Sequence, residues 1–200
     1  VDPKTITARQ KKEIIQSFGR MLRPFAPQYY IAAPDINTAE TEMQWLSEAN
    51  GSWDACTGKP ATYCTSAGGK KRCGLPHELG STGYGVALAT IEALKYLEIP
   101  VKGAEIMIAG YGNVGVFAHK FLEEWGAKVI AVSDSSGTVY DRRGLDFAKL
   151  NEVKQKTGSV TGYPGAKKLT RDVIYELSVD ALIPAAGPDV INETNVGKVK

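Results

Sequence analysis

The 200-residue chain lacks any apolar stretch long enough to cross a bilayer, and its N-terminus shows no signal-peptide pattern. The expectation is a cytoplasmic protein that does not use a membrane. Charge of one sign is also missing: 24 Lys and Arg against 22 Asp and Glu leave a formal +2. So even a balance argues against nucleic acid or an anionic lipid surface as partner. Cysteine is scarce. Cys56, Cys64 and Cys73 are separated as C-x7-C and C-x8-C, without the short knuckle of a structural zinc site, and His77 does not mend that spacing. The expectation is no metal and unpaired or loop thiols, since a Cys64–Cys73 bridge across the polar loop would be unusual in a reducing cytosol. There is no internal repeat and no low-complexity tract. What is present, 43% hydrophobic and 23% charged residues, is ordinary for a globular core.

Periodicity supplies the elements. Ile14, Ile15, Phe18, Met21 and Leu22 recur at helical spacing over 5–23, and Arg23-Pro24 stops the run. A short strand is expected at Tyr29–Ala32. A second helix is expected from Asn37, with Glu40 completing a capping box. Residues 51–80 read as an irregular loop, and its basic run Lys70-Lys71-Arg72 as solvated, with phosphate contact the minor option. Thr82–Leu97 is helical, with Val86, Ala89, Ala93, Leu94 and Leu97 on one side. Strands at Glu105–Ala109, Lys128–Ser133 and Ala181–Ile183 alternate with helices at 113–125, 146–156 and 171–177. A hairpin strand lies between Gly137 and Asp141. Alternating apolar strands and helices predict an α/β fold: a doubly wound, mostly parallel sheet with helices on both faces.

The run Ile106-Met107-Ile108-Ala109 ends in Gly110-Tyr111-Gly112-Asn113-Val114-Gly115, a G-x-G-x-x-G turn that opens a helix. A dinucleotide site needs that order. Gly110 permits the tight turn, Gly112 removes a side chain where pyrophosphate approaches, and Gly115 lets the helix pack closely on the strand. The next strand ends in Ser133-Asp134, about 20 residues past the glycines, where a ribose-binding acid is expected. Ala185 and Ala186 leave a third strand end made of small residues, read equally as room for the nicotinamide end or as a plain tight turn.

Several strings stand in one order: Ala33-Pro34-Asp35, Thr57-Gly58-Lys59-Pro60, Thr82-Gly83-Tyr84-Gly85-Val86, the glycine turn, Val132-Ser133-Asp134-Ser135, Tyr163-Pro164-Gly165-Ala166-Lys167 and Ile183-Pro184-Ala185-Ala186. Together they resemble the glutamate/leucine/phenylalanine/valine dehydrogenases. The G-N-V-G and P-G-A-K strings point to the glutamate branch. The resemblance implies oxidative deamination of L-glutamate to 2-oxoglutarate and ammonia, with hydride passed to NAD or NADP, in a homohexamer. It implies that Asp35 exchanges protons with the substrate amine; without it, Asp35 would be read as a helix cap. It implies that Thr82 holds the nicotinamide carboxamide, where the residue itself could equally be an N-cap. Gly110, Tyr111, Gly112, Asn113, Val114, Gly115, Ser133, Asp134, Ala185 and Ala186 would meet the cofactor. Asp134 favours NAD by repelling a 2′-phosphate, while Ser133, Ser135 and Ser136 could hydrogen-bond one, so both cofactors stay open.

The departures matter too. The family's catalytic lysine sits in a glycine-rich string that is not among these residues, and Val1-Asp2-Pro3-Lys4 resembles the stretch immediately C-terminal to that string. The expectation is that residues 1–36 end a substrate domain and that 37–200 form an incomplete Rossmann-like domain. The isolated chain would then bind dinucleotide without turnover. Gly74-Leu75-Pro76-His77-Glu78 replaces the family's G-S-x-G-R string, Ala32 stands in place of a proline, and Asp189 in place of an asparagine. The alternatives are a stand-alone NAD(P)-binding module or non-catalytic subunit, or a dehydrogenase for another amino acid.

Overall fold

The computed structural model describes residues 5–76 and 79–199, so Val1–Lys4, His77, Glu78 and Lys200 lie outside the described residues. The chain divides into two compact units, Val1–Leu79 and Gly80–Lys200.

In the first unit, α1 (Ala8–Met21) starts where Thr7 and Gln10 cap one another: the Gln10 amide donates to Thr7 Oγ1, and Gln10 Oε1 accepts the Thr7 amide. It packs on α2 (Glu40–Asn50). At the crossing a Cβ on Gly19 would lie 2.6 Å from the Leu46 carbonyl oxygen, so only glycine fits. Arg23 donates to the carbonyls of Ala49 and Asn50, satisfying the open end of α2. The capping box expected at Asn37 and Glu40 is displaced. Asn37 sits at φ 62 outside the helix, and Glu42 accepts the amide of the true N-cap, Ala39. The expected strand at Tyr29–Ala32 reduces to one bridge, Ala32 to Cys56. The expected loop over 51–80 contains an antiparallel hairpin, β1 (Cys64–Ala67) and β2 (Lys70–Cys73), closed by a Cys64–Cys73 disulfide. This corrects the expectation of unpaired thiols there; Cys56 alone is free, and it is buried. Because α2 and the hairpin belong with α1, the compact units part at residue 79, later than the boundary read at 36.

The second unit carries a five-stranded sheet in the order β6-β5-β4-β3-β7. The strands are β3 (Glu105–Ala109), β4 (Lys128–Asp134), β5 (Gly137–Tyr140), β6 (Lys167–Leu169) and β7 (Ala181–Pro184). β3 pairs parallel with β4 and β7, while β4–β5 and β5–β6 are antiparallel. Four strands therefore run one way and only β5 opposes them. Side chains alternate across β3. Ile106 and Ile108 join a core with α3 (Ser81–Tyr96), α4 (Asn113–Glu124) and α5 (Phe147–Thr157), through Ile91, Leu122 and Leu150. Met107 and Ala109 face the other way, onto Ile174 and Tyr175. That second face is covered by the 3-10 helix Arg171–Tyr175, which replaces the α-helix expected at 171–177, and by the segment holding Val190 and Ile191. Burying each such side chain contributes about 1.5–3 kcal/mol.

No helix among the described residues is long and apolar enough to cross a membrane.

Candidate functional site

The carboxyl ends of β3, β4 and β7 meet around a cleft of about 360 Å³. Two backbone bonds knit them: the Gly110 amide donates to Ser133 O (3.0 Å) and the Ala185 amide to Ala109 O (2.7 Å). Gly110 turns at φ 109, and a Cβ there would lie 2.5 Å from the Ala186 backbone. Gly115 lets α4 sit on the strand end, since a Cβ would come within 2.0 Å of Gly110 O. Gly112 differs from both. Nothing lies within 4 Å of a Cβ added there, so the bareness of this position serves no internal packing and opens onto the cleft.

Gly112 is the N-cap of α4 and offers no side-chain cap. The amides of Asn113, Val114 and Gly115 consequently find no partner among the described residues. Asn113 Oδ1 is also buried without a partner. Unsatisfied donors at a helix mouth attract an anion, so the residues present fit a dinucleotide diphosphate. Tyr111 lines the cleft while its side chain is held in the core. Its ring is buried and its hydroxyl lies 2.8 Å from His119 Nδ1, whose Nε2 is 3.0 Å from Leu145 O. A carbonyl can only accept, so Nε2 carries the ring proton and Tyr111 donates to Nδ1. Burial pushes the Tyr111 phenol up, which keeps it neutral.

Asp134 lines the cleft but its carboxylate is committed elsewhere. Oδ1 accepts the Ser136 amide (2.8 Å) and, more weakly, Ser159 Oγ (3.4 Å); Oδ2 accepts Lys154 Nζ (2.7 Å) and the Val160 amide (2.8 Å). Burial opposes its ionisation, yet Lys154 and the two amides outweigh burial and hold it below its ordinary value. A ribose hydroxyl would have to displace one of these donors. Sequence reasoning missed Lys154 and Arg171, which both line the cleft beside Ser133 and Ser135. Arg171 forms no ion pair with a described residue. No local motif marks either cation. Only the sheet order brings α5 and the 3-10 helix to this rim.

Four expected residues of this unit do not line the cleft: Asn113, Val114 and Gly115, which form the first turn of α4, and Thr82. Thr82 lies exposed in the first turn of α3, whose N-cap is Gly80, so Thr82 caps nothing. Gly83 beside it packs against α4, where an added Cβ would be 2.7 Å from Val114 O. Asp35 belongs to the first unit. It is exposed in a turn in which Oδ1 accepts the Ile36 amide and Thr38 Oγ1 accepts the Asp35 amide. Helix α2 begins at Glu40, so Asp35 is no helix cap either. No group of three His, Cys, Asp or Glu among the described residues could hold a metal.

The sequence profile of the Glutamate/Leucine/Phenylalanine/Valine dehydrogenase family matches residues 74–200. Curated relatives include the NADP-specific glutamate dehydrogenase of Saccharolobus shibatae, 38% identical over 100% of this chain and 47% of the relative. The glutamate dehydrogenase of Aeropyrum pernix is 36% identical over the same shares. Among solved structures, hetero-hexameric glutamate dehydrogenase from Thermus thermophilus, in a Leu-bound form, superposes with a TM-score of 0.80 at 25% identity. That match covers 100% of this chain and 47% of the other. The chain spans about half the length of the curated relatives it matches.

Proposed function

The chain belongs to the glutamate/leucine/phenylalanine/valine dehydrogenase family, and on that premise we propose that it forms the NADP-binding part of a glutamate dehydrogenase. The reaction is oxidative deamination of L-glutamate to 2-oxoglutarate and ammonia. The nicotinamide, when bound, supplies the hydride acceptor. The observation that carries the reading is the open helix mouth: three free amides beside a glycine whose Cβ position is empty.

The preference for the 2′-phosphorylated coenzyme rests on the rim. An acid available to a ribose would favour NAD, but Asp134 already accepts four hydrogen bonds. In its place the rim presents the Lys154 ammonium, the Arg171 guanidinium and the hydroxyls of Ser133 and Ser135. Cations and hydroxyls suit a phosphate monoester, and Arg offers paired donors to it. Asp134 then positions Lys154. The small strand end Ala185-Ala186 leaves room on the nicotinamide side. Thr82 is proposed to meet the carboxamide and Asp35 to carry the amine proton, in a homohexamer as the resemblance implies.

Glutamate-dependent NADPH formation by the full-length protein tests the proposal. Asp35→Asn should reduce kcat at least a hundredfold with little change in coenzyme affinity, because a general acid–base contributes about 10²–10⁴ in rate. Undiminished turnover in that variant would remove Asp35 from the mechanism. Absence of glutamate turnover in the full-length wild type would leave a dinucleotide-binding module.

A further inference from the structure

The string Thr57-Gly58-Lys59-Pro60 builds a pocket of about 300 Å³ within the first unit. Gly58 turns at φ 65, where an added Cβ would press within 2.6 Å of the Pro34 ring, and the turn sends Lys59 inward. Lys59 is only 4% exposed. Its ammonium donates to the Cys56 carbonyl and lies 4.1 Å from the centre of the Trp53 ring. It has no ion pair with any described residue. The nearby carboxylate, Asp54, is taken by Arg72 at 2.9 Å. Asp54 still favours the Lys59 charge more than Arg72 opposes it, but no carboxylate among the described residues pairs with this buried ammonium directly. Buried charges are normally paired, because desolvation is costly. A second polar group is also unsatisfied: the Trp53 indole N–H is buried without a partner. The remaining walls, Pro27, Ile31 and Leu75, are apolar, and the Cys64–Cys73 disulfide fixes the wall at Cys73.

We propose that this pocket binds a small aliphatic monocarboxylate, its carboxylate between the Lys59 ammonium and the Trp53 indole N–H and its apolar body against Ile31 and Leu75. One anionic charge neutralises one buried cation, and a carboxylate accepts from both donors at once. Burial lowers the Lys59 pKa, and an anionic ligand restores the charged form.

The test uses the 200-residue chain, with 4-methylpentanoate as probe and 4-methylpentanamide as its neutral control. The indole N–H resonance of Trp53, assigned by its loss in Trp53→Phe, reports binding. The acid should shift that resonance saturably and the amide should not. Lys59→Met should weaken the acid at least tenfold. Leu75 is 77% exposed, so Leu75→Glu leaves folding unthreatened and puts a like charge at the pocket mouth; it too should weaken the acid at least tenfold. Gly112→Val, in the other unit, should leave the affinity unchanged whatever it does to coenzyme binding. No saturable shift in the wild type, an equal response to acid and amide, or unaltered affinity in both Lys59→Met and Leu75→Glu would overturn the proposal.

Discussion

Glycines 112 and 115 stand three positions apart and should fail in opposite ways. A side chain at Gly112 meets only the cleft, so Gly112→Val should leave the urea midpoint nearly unchanged and abolish NADP binding by calorimetry. Gly115→Ala forces a Cβ to within 2.0 Å of Gly110 O. That overpacking should cost about 1–3 kcal/mol in the same denaturation experiment. Lys154 and Asp134 form the second residue-scale contrast. Lys154→Met should raise the NADP Kd about ten- to a hundredfold, the value of a charge-assisted contact, and change the NAD Kd far less. Equal losses for both coenzymes would place the 2′-phosphate away from Lys154. The folded-state pKa of Asp134 is depressed, so its stabilisation is complete above the ordinary value near 3.9 and is lost as pH falls through the folded value. Stability of Asp134→Asn should therefore change less between about pH 5 and pH 2 than that of the wild type. Of these residues the glycines were legible in the sequence, because backbone geometry fixes their spacing. Lys154 was not, because its partner lies 20 positions away in a different element.

At the scale of elements, what the sequence announced was what hydrophobic burial holds. Strands β3, β4 and β7 and helices α3, α4 and α5 fill the cores around Ile106 and Leu122, and their apolar spacing marks them. The hairpin β1–β2 escaped because Thr65, Ser66, Lys70, Lys71 and Arg72 have no apolar face, and the basic run is exposed as expected while still forming a strand. A two-stranded hairpin of that composition is marginal in water, and a covalent tie takes the place of a core. The cysteine spacing argued against a metal but could not show that Cys64 and Cys73 would face each other across a register. Cys64→Ser with Cys73→Ser should destabilise the first unit by about 2–3 kcal/mol, the loop entropy of so short a ring, as read by calorimetric unfolding. No change would mean that the hairpin stands without its tie. Strand β6, three residues long, was too short to show a period, and the helix expected at 171–177 is a 3-10 helix over Arg171–Tyr175.

The whole molecule is two compact units with separate cores, one holding Asp35 and the other the glycine turn. Hydride transfer needs substrate, proton carrier and nicotinamide held together, and proximity of this kind accounts for much of an enzyme's rate. The 200 residues do not include the family's lysine string. The chain by itself should bind NADP and show no glutamate-dependent NADPH formation. Everything in that expectation depends on where the diphosphate sits, and amide NMR reads that directly. On titration with NADP the largest backbone shifts should fall on Asn113, Val114 and Gly115, with smaller ones at Ser133, Ser135 and Lys154. Saturable binding that leaves the amides at the mouth of α4 unmoved would contradict the account.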